Sequence, residues 1–140
     1  MSPFSHFLHE LRLRHQIRQS ELAELLGYEQ SYISALEVGA KGPPTEEFIQ
    51  KLITILVISP SEQLELKAAA AASVRKFSIP VDSPQSHYLM LKELRDQFDS
   101  LHPLQVRLIQ EALAMRGSLV DPQPEPVRRI KRRRREEATM

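Results

Sequence analysis

A chain of 140 residues, 41% of them hydrophobic, has material for one core, or for a small domain with appendages. It contains no cysteine, which excludes disulfides, thiol nucleophiles and cysteine-ligated zinc. Its net charge of +1 is unevenly spread: residues 1–58 carry five Lys/Arg against seven Asp/Glu, residues 59–116 seven against seven, and residues 117–140 seven against four.

The opening segment, MSPFSHFLHELRLRH, scatters charges among its apolar residues and lacks the continuous apolar run of a secretory signal. Phe4, Phe7, Leu8, Leu11 and Arg12 recur at spacings of three and four and predict a first helix over about 4–15. Leu22, Leu25 and Leu26 predict a short second helix that stops at Gly27, a residue type favoured just past a helix end. A third helix is expected over Gln30 to Val38, with Ile33, Leu36 and Glu37 on one side and Gly39 after it. Pro43 and Pro44 break the chain, and Thr45 can cap a fourth helix that carries Phe48, Leu52 and Leu56 at four-residue steps. Ile53 to Ile58 is the densest apolar stretch and falls far short of the roughly 20 residues that span a bilayer. The protein is therefore expected in the cytoplasm, away from membranes.

Ser59, Pro60, Ser61 and Glu62 read as a capping box that opens a fifth helix rich in alanine, expected to reach about Lys76. Residues 77–82 read as a linker. Ser83 and Pro84 repeat the cap-plus-proline pattern before the apolar stripe Tyr88, Leu91, Leu94, Phe98 and Leu101, and Pro103 starts a last helix, with Leu104, Leu108, Ile109, Ala112 and Leu113 inward, that ends at Gly117. Residues 117–140 combine three prolines with a charge block and are expected to be a disordered basic tail. No stretch alternates apolar and polar residues long enough for a strand, so the expected fold is all-α.

Within this pattern, QSELAELLGYEQSYISALEVG supplies a short helix, a turn with glycine and a second short helix, the parts of a DNA-binding helix-turn-helix. In that motif the second helix fits the major groove, and the first crosses the backbone with its N-terminus toward a phosphate. Leu22, Ala23, Leu26, Ile33 and Leu36 would lock the two helices together and leave Gln19, Gln30, Ser31 and Ser34 free to hydrogen-bond.

Residues 7–58 resemble the Xre-type family of phage-repressor-like regulators. The match rests on Leu11 and Arg12, Gln19, Leu22 and Ala23, Gly27, Gln30 and Ser31, Ile33, Glu37 and Gly39 at the family's offsets. The resemblance implies a five-helix repressor-like domain in which Gln30, Ser31 and Ser34 face bases. It places Gln19 at a phosphate and Tyr32 near the DNA backbone, and makes Arg12 and Glu37 an internal ion pair; Arg18 and Lys41 add cations that can meet the DNA backbone. Two positions depart from the family. Arg18 stands where a capping Ser, Thr or Asn is usual, and Glu29 stands where a hydroxyl is common and would be repelled by phosphates.

Other chemistry has no comparable signal. His6 and His9 lie one turn apart but have no third ligand at a matching spacing, so no metal site is expected. Gly27, Gly39, Gly42 and Gly117 form neither a phosphate loop nor a dinucleotide fingerprint, and nothing in the residues points to catalysis or a cofactor. Arg128, Arg129, Lys131, Arg132, Arg133, Arg134 and Arg135 can add sequence-independent phosphate contacts.

The sequence therefore predicts a DNA-binding domain over 1–76, a linker over 77–82, a two-helix element over 83–116 and the tail. The expected function is transcriptional regulation, most plausibly repression, by a homodimer on double-stranded DNA with a two-fold operator. Two other functions fit the same residues: an antitoxin whose 83–116 segment binds a toxin, or a protein-interaction module without DNA binding.

Overall fold

The computed structural model describes residues 1–122, and every regular element among them is helical. The chain divides into two compact units, Met1–Val81 and a second that begins at Asp82.

The first unit contains five helices: α1 (Pro3–Arg14), α2 (Gln19–Leu26), α3 (Gln30–Val38), α4 (Glu46–Leu56) and α5 (Pro60–Ala72). Their starts are set by short polar side chains. Ser2 Oγ accepts the Ser5 N–H at 3.1 Å, Thr45 Oγ1 accepts that of Phe48 at 3.2 Å, and Ser59 Oγ accepts that of Glu62 at 3.4 Å. The Glu62 carboxylate also takes Arg14 Nη1 at 3.1 Å, which ties α5 to the end of α1. Helix α2 is the exception. Its N-cap, Arg18, carries only donors and cannot accept a helix N–H, so the cap is one-sided: Glu21 reaches back to accept the Arg18 N–H at 3.3 Å.

Leu8, Leu11, Leu22, Ile33, Leu36, Phe48, Leu52 and Leu66 are fully buried, and Phe4 nearly so, in one core shared by all five helices. Each such side chain contributes about 1.5–3 kcal/mol by leaving water. Two left-handed glycines shape the unit. Gly27, at φ 78°, ends α2 and turns the chain into α3. Gly39, at φ 80°, ends α3 against the start of α1; a Cβ there would lie 3.3 Å from Ser5 Oγ and 3.4 Å from Ser2 N. The α3 C-terminus is thereby seated on α1.

Helix α5 ends at Ala72, short of the expected Lys76. The cause is tertiary. Ser73 Oγ donates to Ala69 O at 2.6 Å and accepts the Phe4 N–H at 2.9 Å, so this buried serine serves the start of α1 instead of continuing the helix.

The second unit contains α6 (Gln85–Gln97), a 3-10 turn at Phe98–Ser100, α7 (Pro103–Ala114) and a 3-10 turn at Met115–Ser118. Ser83 does not cap α6 as expected. Pro84 is itself extended, at φ −60° and ψ 150°, and the helix begins one residue later. Helix α7 is capped by His102, whose Nδ1 accepts the Leu104 N–H at 3.0 Å while Gln105 Oε1 accepts the His102 N–H at 2.9 Å. The last 3-10 turn enters the segment expected to be unstructured, and Arg116 pairs with Asp121 at 2.6 Å. Residues 123–140 of that segment, with the whole cation block, lie outside the described residues.

No described residue of this unit is buried. Leu91, Leu94 and Leu101 are half-covered, whereas Phe98, Leu104, Leu108 and Leu113 are more than half exposed. Between the two helices opens an apolar cleft of about 330 Å³, lined by Leu94, Phe98, Leu101, Val106, Ile109 and Gln110.

Candidate nucleic-acid interface

Helix α3 has two chemically distinct sides. Ile33, Leu36 and Glu37 are buried against α1 and α2, Ser31 is exposed and Ser34 partly so on the opposite side, and Gln30 is exposed at the first position of the helix. The exposed side holds hydroxyls and an amide and no ion. The single charge of the helix, Glu37, points inward and is 3% exposed.

A buried carboxylate needs partners, and Glu37 has three. Arg12 from α1 donates to it through Nε and, at 3.2 Å, through Nη2. Gln19 Nε2 donates to Oε2 at 2.7 Å, and His9 Nδ1 lies 3.5 Å from the same oxygen. Arg12 Nη1 also donates to Ile17 O at 2.9 Å, fixing the chain as it leaves α1. Burial pushes the Glu37 carboxyl up, but the hydrogen bonds from Arg12 and Gln19, the Arg12 charge and the His9 contact outweigh it and hold the pKa below the ordinary value. This network clamps α1, the first residue of α2 and the inner face of α3 to one another.

Gln19 is thus not free, as the sequence suggested: one N–H of its amide is spent on Glu37, which leaves the other for a further acceptor. Arg18, exposed beside it, can supply a cation at the start of α2. Tyr32 turns away from Gln30 and Ser31 into an aromatic cluster, stacked on Tyr28 at 5.2 Å and edge-on to Phe48 at 5.9 Å. Burial, and then the neighbouring Tyr28, raise the Tyr32 pKa, so the phenol stays neutral. Lys41 Nζ sits 5.6 Å from the Tyr32 ring and Lys51 Nζ 4.9 Å from that of Tyr28.

The structure therefore leaves Gln30, Ser31 and Ser34 accessible on α3, with Arg18 and Gln19 at the start of α2, and Tyr32 with Lys41 beside them in the aromatic cluster. Sequence reasoning missed Tyr28 and Lys51, paired across elements. Among the described residues no three His, Asp or Glu side chains group to hold a metal ion, and no helix is long and apolar enough to cross a membrane.

The helix-turn-helix domain family matches residues 3–66, the five helices up to the middle of α5. Residues 3–66 thus carry a helix-turn-helix domain. RghRB of Bacillus subtilis (strain 168), described as an uncharacterized HTH-type transcriptional regulator, is 32% identical over 94 residues, which make up 67% of this chain. The chain spans 65% of the length of that curated relative. A solved chain from a complex titled SinR protein/SinI protein aligns with 83% of this chain and 99% of its own length, at 21% identity and a TM-score of 0.40. The helices that surround the Glu37 network, α1 to α3, all lie within the matched residues.

Proposed function

We propose that the protein is a sequence-specific DNA-binding transcriptional regulator, acting in the cytoplasm as a homodimeric repressor on a two-fold operator. One observation carries the reading. Helix α3 presents Gln30, Ser31 and Ser34, groups that hydrogen-bond base edges, while its inner face is locked by the core and by Glu37.

In this reading α3 enters the major groove, where Gln30 offers a side-chain amide to adenine and the two serines offer hydroxyls. Arg18 and the remaining amide N–H of Gln19 meet a phosphate at the start of α2, and Lys41 meets the backbone on the other side. The acidic residues Glu21 and Glu29 weaken non-specific attraction. The basic residues 128–135 add it back as a sequence-independent term. Dimerisation falls to the second unit: its two helices leave apolar side chains such as Leu104 and Leu108 in water, and a contiguous apolar surface of this kind marks an interaction site. A second copy covers it in the dimer.

The test is binding of the full chain to its own upstream region and to unrelated DNA at two salt concentrations, followed by fluorescence anisotropy. The proposal expects a preference that survives the higher salt. Equal affinity for both DNAs that vanishes with salt overturns sequence reading, and no binding at either salt leaves a protein-interaction module.

A further inference from the structure

Helix α3 carries no basic residue in its last turn, so the negative end of its dipole has no counter-charge of its own. A cation reaches it from elsewhere in the chain. Arg75, three residues beyond the end of α5, donates through Nη2 to Gly39 O, the carbonyl of the residue that ends α3. This bond depends on where α5 stops. Had the helix run on to Lys76, Arg75 would follow the buried Leu66 by nine residues, about 180° around the axis, and would face away from the core. Ser73 ends the helix through its bonds to Ala69 O and the Phe4 N–H, and the chain then brings Arg75 back onto α3.

Gly39 O is a consequential place to hold. Gly39 sits at φ 80° and Lys41 follows two residues later, so a rotation at Gly39 swings the lysine, and glycine is the residue that restrains such a rotation least. Beyond the turn, the Lys41 N–H donates to Ala35 O at 3.1 Å and its Nζ lies 5.6 Å from the Tyr32 ring. Before the turn, Arg75 holds the Gly39 peptide. The segment from Gly39 to Lys41 is thus pinned at both ends, and Lys41 is the cation assigned above to the DNA backbone.

We propose that Arg75 is a positioning residue for the phosphate contact of Lys41: it holds the Gly39 peptide, and with it the turn that aims Lys41, in the geometry that DNA requires. The inference rests on the DNA-binding function proposed above and adds to it a residue that lies well beyond the helix-turn-helix. Phosphate contacts set affinity and carry no sequence information, so the effect falls on all DNA alike.

The experiment is a double-mutant cycle in the full chain. Affinity for the protein's own upstream region and for unrelated DNA is measured for wild type, Arg75→Ala, Lys41→Ala and the double variant, well below the melting temperature of each. Arg75→Ala should weaken binding to both DNAs by a similar factor, about fivefold, the equivalent of one net hydrogen bond. On the Lys41→Ala background it should have almost no further effect, because the contact it positions is already gone. A loss that persists undiminished on that background means that Arg75 meets DNA by itself or only stabilises the fold. Unchanged affinity in Arg75→Ala, or in Lys41→Ala, means that there is no contact for it to position. Each of these results overturns the inference while DNA binding stands. If wild type binds neither DNA, the proposed function itself fails and this inference falls with it.

Discussion

Replacing Glu37 by alanine removes the carboxylate on which three helices converge. Its side chain is 4% exposed and that of Arg12 13%, so the substitution strands a nearly buried guanidinium with only Ile17 O as partner, and it releases Gln19 and His9. Breaking one side of such a pair costs about 3–5 kcal/mol, a large share of the 5–15 kcal/mol that hold a domain together. For a unit of this size, Met1–Val81, 3 kcal/mol corresponds to a fall in Tm of roughly 12 °C or more. Thermal unfolding of the full chain, followed by circular dichroism at neutral pH, measures it. Replacing both residues by apolar ones, Arg12→Met with Glu37→Leu, should recover most of the loss, because no charge is then left unpaired. A Tm within two degrees of wild type for Glu37→Ala would refute the reasoning, since it would mean that the pair contributes nothing. The acid limb gives an independent check. The folded pKa of Glu37 lies below its unfolded value, near 4.3, so its contribution is present above that value and is lost as pH falls through the folded pKa. Wild type should lose stability in that acid window relative to Glu37→Gln, which has no carboxyl to protonate there.

Three further outcomes are expected. Gly27→Ala, which forces a Cβ into the left-handed region at φ 78° with open space around it, should destabilise by about 1–2 kcal/mol through the backbone alone, and urea unfolding should show it. An unchanged midpoint would mean that the α2–α3 turn relaxes without strain. Deleting residues 118–140 should lower affinity for all DNA alike and flatten the dependence of log K on log salt, by up to about 0.9 for each phosphate that the tail neutralises; an unchanged slope would leave the tail no part in binding. Sedimentation should give a particle of roughly twice the 16.1 kDa chain, and Leu108→Glu should reduce it to a monomer; a wild-type monomer at micromolar concentration would remove the basis for a two-fold operator with half-sites about 34 Å apart.

The helices of the first unit were legible because their apolar residues recur at three and four and their caps are local. Thr45 with Phe48 and Ser59 with Glu62 are bonds across three residues, visible in the sequence itself. Helix α3 has the bounds its pattern gives, Gln30 to Val38, because a glycine follows it and no distant group competes. The end of α5 was not legible, since alanine-rich sequence favours helix and the serine that stops it bonds Phe4, 69 residues away. Pro84 misled for a simpler reason: a proline fits the first helical position and the extended position before it equally well. The exposure of Gln30, Ser31 and Ser34 on α3 follows from offsets that can be counted. The part played by Gln19 does not, because its partner lies 18 residues on and only the folded core brings the two together. The same holds for the lysines over Tyr28 and Tyr32, whose attraction to the rings leaves no periodic trace.

The central claim, that α3 reads bases and the start of α2 holds the backbone, is tested most directly by selection on randomised DNA with wild type, Gln30→Ala and Gln19→Ala. The selections are run well below the melting temperature of each, because Gln19→Ala also takes a hydrogen bond from Glu37. The bidentate amide–adenine pair is worth about 1–3 kcal/mol of discrimination. Gln30→Ala is therefore predicted to relax preference at one base pair per half-site and keep the others, and Gln19→Ala to weaken every sequence by a similar factor with preferences intact. If Gln30→Ala retains the wild-type preference at every position, α3 is not the reading helix and the roles of Ser31 and Ser34 fall with it.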